Sequence, residues 1–200
     1  NKNYKKTKVL LNRFNKKDEI YYWYKIKKIT QIISQESNKE EAINYINSKF
    51  LKIENPSTKI LFDMGNIAKG FKKYQSSINY YDSVISRIEK NTITYADLLY
   101  RRGGSYERLG KYEESDKDLL KSLEINQDDA YVLNYLAYSW LERDYKIDIA
   151  IKMLDKAYEQ RSNDPYIIDS VGWGYYLVND FVNSEKFLKQ ALQLMPDDPI

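Results

Sequence analysis

Apolar residues recur along this chain with the period of an amphipathic helix. Between 165 and 177, Ile168, Val171, Gly172 and Tyr175 fall at i, i+3, i+4 and i+7. That is the stripe one helix face presents to a core. Asp164-Pro165 ahead of it supplies a capping side chain and a proline at the first helical position. Asn179-Asp180 interrupts the stripe; Phe181, Ser184, Leu188, Ala191 and Leu192 resume it, and Pro196 ends it. The spacing predicts two helices joined by a tight turn.

The arrangement returns upstream. Gly65, Gly103, Ala137 and Gly172 are separated by 38, 34 and 35 residues. Behind them come Ser77, Ser115, Ala150 and Ser184, and further on Ser122, Ala157 and Ala191. Small side chains at fixed offsets have a mechanical reason, since helices approach to about 8–9 Å only where their contact columns are thin. The third unit has one extra residue near 145–147. Four units follow, 58–95, 96–129, 130–164 and 165–198, with 199–200 opening another that is cut short. Glu19–Ile33 carries a further helical stripe, and Asn38 with Glu41 forms a capping-box pattern, so 16–55 reads as a degenerate helix pair. Residues 1–15, with Val9–Phe14, read as a partial leading helix. The expected fold class is all-α, a right-handed α-α superhelix of about five helix-turn-helix pairs.

These units resemble the tetratricopeptide repeat. One carries Leu99, Gly103, Tyr106, Gly110 and Tyr112; another carries Gly172, Tyr175, Phe181 and Ala191-Leu192-Gln193-Leu194-Met195-Pro196. Serine stands for alanine on several second helices, and the first three units lack the closing proline. The run 132–140 with 169–173 is similar to bacterial repeat proteins, and the chain reads as a fragment of a longer array. The resemblance implies a protein-binding scaffold without catalytic activity. It also implies that first helices line an inner wall. By spacing, that wall holds Phe62, Asn66, Tyr100, Arg101, Tyr131, Asn134, Tyr135, Tyr138, Tyr166, Asp169, Trp173 and Tyr176. Tyr and Trp offer rigid contact area with a polar tip, and Asn134 can both donate to and accept from a peptide backbone. Trp23 and Trp140 fall on stacking stripes and are expected in the core. A subfamily clamps acidic C-termini with cations on this wall; the matching positions here are Lys59, Phe62, Asn66, Arg101, Tyr131 and Tyr135, and the cationic pattern is not met.

Composition narrows the chemistry. The 200 residues include no His and no Cys. That excludes disulfides, imidazole bases, thiol nucleophiles, and metal sites built on thiolate or imidazole. No catalytic, cofactor-binding or metal site is expected, and no cofactor. Asp128-Asp129 and Asp197-Asp198 sit at unit junctions, where acids favour the next helix N-terminus. Arg101-Arg102-Gly103-Gly104-Ser105 lies mid-helix, outside the strand–loop–helix context of a phosphate loop. Charge is uneven. The first 28 residues hold ten Lys/Arg and two acids, while 56–200 hold 19 basic and 23 acidic residues. With Tyr21, Tyr22, Trp23 and Tyr24 interleaved, the basic stretch is the weaker alternative of a nucleic-acid or membrane-surface contact. The expected partner is a protein or peptide. Val182, Phe187, Leu188 and Leu192 at an uncapped C-terminal end suggest self-association. No apolar run reaches the length of a membrane span, and cytoplasm and periplasm both remain open.

Overall fold

The computed structural model describes residues 4–11 and 19–196, which carry α1 (Tyr4–Leu11), α2 (Glu19–Glu36), α3 (Lys39–Phe50), α4 (Thr58–Gly70), α5 (Tyr74–Ile85), α6 (Ile93–Glu107), α7 (Tyr112–Ile125), α8 (Ala130–Leu141), α9 (Ile147–Gln160), α10 (Pro165–Leu177) and α11 (Phe181–Leu194). There is no strand among the described residues. Phe14, Asp197-Asp198 and Pro199-Ile200, on which expectations were placed, lie outside them.

The helices start where capping side chains permit. Asp129 accepts from the backbone N–H groups of Tyr131 and Val132, and Asp164 from those of Tyr166 and Ile167. Asn38 takes the N–H of Glu41 at 2.7 Å, and Thr92 that of Tyr95 at 3.2 Å. Each bond satisfies a donor that a helix start leaves without an intrahelical acceptor. Because Thr92 caps α6, that helix begins at Ile93. The 38-residue interval arises here, since 86–92 is longer than the junctions 126–129 and 161–164.

The turns inside the four units are one structure repeated. Lys72, Gly110, Asp144 and Asn179 all have left-handed φ, between 54° and 70°. Each stands seven residues after Gly65, Gly103, Ala137 or Gly172. At every turn two backbone bonds close the first helix. Lys73, Lys111, Tyr145 and Asp180 donate to the carbonyls of Ala68, Tyr106, Trp140 and Tyr175; Lys72, Gly110, Asp144 and Asn179 donate to those of Lys69, Glu107, Leu141 and Tyr176. This is the Schellman closure, which satisfies terminal carbonyls and reverses the chain. The extra residue of the third unit is absorbed by a second left-handed position, Lys146 at φ 47°.

The chain divides into two compact units, 1–87 and 88–200. In the first, α2 pairs with α3 and α4 with α5. Trp23, Ile26, Ile46, Ile60 and Met64 form one core cluster; Leu11, Ile29, Ile32, Ile33 and Ala42 form another. Trp23 is buried, and its indole Nε1 donates to Asp63 at 2.8 Å; Lys27 reaches the same carboxylate at 2.7 Å. The ring of Tyr81 lies against Gly65 so closely that a Cβ there would collide with it.

In the second unit, α6 pairs with α7, α8 with α9 and α10 with α11, while α7 packs on α8 and α9 on α10. One core runs through it, from Leu119 through Leu136, Trp140 and Leu154 to Ile168 and Phe187. Gly172 permits the close approach of α11, since a Cβ would stand 2.8 Å from Leu188 Cγ and 3.1 Å from its backbone nitrogen. Two ion pairs brace the stack. Arg102 meets Asp118 through Nε–Oδ2 and Nη2–Oδ1 bonds, both 2.7 Å, between α6 and α7. Arg143 joins α8 to Asp116 of α7 at 2.7 Å and lies over the Tyr112 ring.

Candidate partner-binding wall

In the second unit α8 lies beside both α6 and α10, so three first helices share one layer. Matching positions along that layer carry Tyr131 and Tyr166, Asn134 and Asp169, and Tyr138 and Trp173, each pair 35 residues apart. Tyr131, Tyr138, Tyr166 and Tyr176 are 47%, 40%, 62% and 49% exposed. These side chains point away from the core, while the residues next to them in the chain, such as Val132, Ala137 and Ile167, point into it.

The remaining expected wall residues divide. Tyr100 packs on the core and meets the Tyr135 ring edge-to-face at 5.8 Å. Tyr135 turns its hydroxyl inward and donates to Glu107 Oε2 at 3.0 Å. Trp173 is half-buried on the core and stacks on Tyr176 at 5.3 Å. Arg101 bonds Asp97 one turn away at 2.9 Å. Asn134 is half-buried, and its Oδ1 is buried without a hydrogen-bond partner. Phe62 and Asn66 belong to the first unit. There they support Tyr81, whose hydroxyl donates to Asn66 Oδ1 at 2.7 Å while Phe62 tilts against its ring.

Part of the electrostatics of the layer comes from side chains that spacing had not singled out. Burial pushes the Tyr138 hydroxyl above its ordinary pKa, with Glu142 and Asp169 adding to the rise. Burial and then Glu107 push Tyr135 up further, and burial also raises Tyr100. All three are neutral phenols through the physiological range. Glu107 and Glu142 went unremarked in the sequence, although Tyr138–Glu142 has the i, i+4 spacing of a helical pair. Tyr135–Glu107 spans two helices and left no local signal. The Arg101–Ser105 run is structural: Arg102 holds Asp118, Gly103 passes Leu119, and Ser105 bonds the Arg101 carbonyl. Asp129 is spent as the α8 cap, and Asp128 pairs with Lys156 at 2.5 Å.

Paired helices with recurrent left-handed turns define an α-helical repeat protein. The tetratricopeptide repeat family profile matches residues 96–129. A TPR repeat-containing protein of Pseudomonas aeruginosa is 29% identical over 134 residues, 67% of this chain and 20% of that protein. This chain therefore spans about a fifth of that relative. Among solved structures, BtubC from P. vanneervenii superimposes with a TM-score of 0.71 at 15% identity, over 96% of this chain and 88% of that one. MamA (from residue 41) of Desulfovibrio magneticus gives 0.64 at 17%, over 89% and 97%. YrrB, described as a TPR protein with an unusual peptide-binding site, gives 0.58 at 18%, over 92% and 89%. The chain shares the all-helical repeat fold of these proteins, and its residues 96–129 match a tetratricopeptide repeat. The tetratricopeptide repeat fold is in general that of a protein–protein interaction module and a non-enzymatic scaffold. Among the described residues no helix is long and apolar enough to cross a membrane.

Proposed function

We propose that the α6–α8–α10 layer binds a peptide segment of a partner protein, and that the chain serves as an assembly scaffold. The observation that carries this reading is the row of exposed aromatic rings, Tyr131, Tyr138, Tyr166 and Tyr176, on adjacent first helices. Such rings bring large contact area and lose few rotamers on binding. Trp173 and Tyr135 support the row from behind and hold its shape. Asn134 is proposed as a further contact of that segment. The YrrB likeness supports a peptide ligand by analogy of fold alone. Phe62 and Asn66 are proposed as contacts of the first unit, acting apart from this layer.

Affinity capture from cell extract with the native chain and with Tyr138→Ala/Tyr166→Ala tests the reading. Both rings are substantially exposed, so circular dichroism of the variant should be unchanged. A partner held by the native chain and lost by the variant is the expected result; identical capture would refute it. Self-association is a second reading: of its expected face Phe187 is buried in the core, whereas Val182 at 81% and Leu192 are exposed, joined on α11 by Phe181 and Leu194. Sedimentation of Val182→Glu against the native chain separates the two, since a monomer in both cases removes the second reading.

A further inference from the structure

We propose that a cleft between α3, α4 and α5 is a second binding site, and that it takes a short acidic segment of a partner protein carrying apolar side chains. The cleft belongs to the first unit, and its reading stands apart from that of the α6–α8–α10 layer.

The cleft has a volume of about 650 Å³, within the range of pockets that enclose a ligand. Three helices each turn one face to it. Lys39, Ile43, Asn44 and Asn47 follow the i, i+4, i+5 and i+8 spacing of one face of α3. Met64, Ala68 and Phe71 come from α4, and Ser76 and Tyr80 from α5. In the second unit α7 packs on α8 and α9 on α10, whereas α3 makes no packing of that extent on α4 or α5. The sequence supplies the reason. Helix α9 brings Ala157 to its neighbour, buried with Ile167. Helix α3 turns Asn44 and Asn47 to the cleft, and burying two amides against Met64 and Ala68 would cost more than it returns. The floor is nonetheless apolar. Ile43, Met64 and Ala68 are buried, and the Phe50 and Tyr80 rings, edge-to-face at 5.4 Å, line one side. Such a floor gains by receiving an aliphatic side chain.

The rim sets the charge. Lys39 and Lys73 are exposed on it, and among the described residues neither ammonium group has an ion pair or hydrogen bond. Both begin second helices, α3 and α5, so the cleft is distinct from an inner wall of first helices. Lys39 also borders an adjoining cavity of about 490 Å³. There Lys27 is paired with Asp63, while Lys28 meets Gln31 and the Tyr24 ring, neither of which cancels its charge. Glu40 is the one acid among the residues lining the larger cleft. Residues 1–87 hold 18 Lys/Arg against 8 Asp/Glu, so the unit as a whole draws an acidic segment toward it. Asn44 and Asn47, likewise without a side-chain partner among the described residues, can each donate to and accept from an extended backbone. These amides favour a peptide over an anionic lipid. No arginine lines the cleft, and its floor is Ile43, Met64 and Ala68 rather than a row of exposed rings, which disfavours a nucleic acid. Residues 88–200, with 14 Lys/Arg against 21 Asp/Glu, make a second copy of this chain a competitor and an outcome of the test.

The test uses the full chain and four fluorescein-labelled peptides of equal length on one Ser/Ala background: acidic with leucines, the same with Gln for its acids, the same with Ser for its leucines, and basic with leucines. Anisotropy is followed for the native protein and for Lys39→Gln/Lys73→Gln on the rim. It is followed also for Ser76→Trp, which fills the cleft from an exposed position, and for Lys52→Gln/Lys59→Gln, which removes equal charge from exposed positions outside it. The acidic leucine peptide should bind most tightly. It should lose about tenfold in the rim variant and in Ser76→Trp, and keep its affinity in Lys52→Gln/Lys59→Gln. Equal losses in the two lysine variants would mean attraction to the basic unit as a whole and would overturn the proposal. Equal or tighter binding of any other peptide, or no binding at all, would overturn it too. Binding that survives in the rim variant and in Ser76→Trp but is lost in Tyr138→Ala/Tyr166→Ala would remove the cleft and leave the α6–α8–α10 layer standing. Sedimentation completes the test. Association with phosphatidylcholine–phosphatidylserine vesicles, or a low-salt dimer of the chain alone, that is lost in Lys39→Gln/Lys73→Gln would assign the cleft to a membrane surface or a second copy and overturn the proposal.

Discussion

Asp118→Ala removes a carboxylate that is 5% exposed and accepts both hydrogen bonds of the Arg102 fork at 2.7 Å. The alanine fits the space, so the cost is electrostatic. Deleting one partner of a buried ion pair costs about 3–5 kcal/mol, because the remaining charge is left in a low-dielectric setting. Here Arg102 retains 18% side-chain exposure and lies 5.7 Å from the Tyr106 ring centroid. Water and the ring recover part of the loss, which places the expectation near the lower end, about 3 kcal/mol. For a chain of this length that corresponds to a fall in Tm of about 6–12 °C. Repeat proteins unfold through neighbour-coupled units, so urea denaturation should be read together with amide exchange in α6 and α7. Protection there should fall before protection elsewhere in residues 88–200. A loss below about 1 kcal/mol would place the pair among exposed surface bridges and refute the argument. Arg102→Met/Asp118→Leu supplies the complementary arm. With no charge left to solvate, it should recover most of the stability, and the double-mutant cycle gives the coupling directly. A double variant as unstable as the single one would show that packing, not charge, holds this place.

Two further outcomes follow from the turns and from burial. Lys72 occupies at φ 59° the position that Gly110 occupies at φ 70° in the next unit. Lys72→Gly should therefore stabilise residues 1–87 by about 0.5–1 kcal/mol in urea denaturation, and destabilisation would contradict the equivalence of the turns. Burial raises the Asp155 carboxyl above its ordinary pKa, Glu159 adding to the rise and the 3.5 Å bond from the Tyr175 hydroxyl opposing it. A raised carboxyl binds more protons folded than unfolded, so its contribution to stability falls as pH rises through the acid range. Asp155→Asn should then have the higher Tm at pH 7, with the gap closing below about pH 4; a gap that stays constant with pH would refute the sign.

The legible parts of the fold are those set by short-range geometry. The stripe from Ile168 to Tyr175, the Asp164-Pro165 start and the Asn179-Asp180 turn can each be read within one helix length. The structure shows them as α10, its cap and its left-handed closure. Helix α6 starts at Ile93 because a single capping hydroxyl, that of Thr92, sits ahead of the repeat unit 96–129 that the family profile also matches. The wall was read less completely. A register of 34 or 35 residues brings Tyr138 and Trp173 to matching places, but it does not show how far each ring sinks. Tyr138 stands 40% exposed, whereas Trp173 lies half-buried against the core.

The chain's own residues specify helices, turns and repeat because those depend on neighbours a few positions away: the i, i+3, i+4 stripe, the capping side chain, and the left-handed residue seven places after a small one. Pairings over longer separations were settled by packing. Trp23 meets Asp63 across 40 residues, Tyr135 meets Glu107 across 28, and Arg143 meets Asp116 across 27. Each is a buried or half-buried polar group that had to find a partner once neighbouring helices closed around it. No local pattern names the partner, because the choice depends on the separation and rotation of helices distant in the chain. The same reason applies to the candidate wall: its aromatic content was written in the repeat, and the Tyr135–Glu107 contact arose only when α6 and α8 were brought side by side.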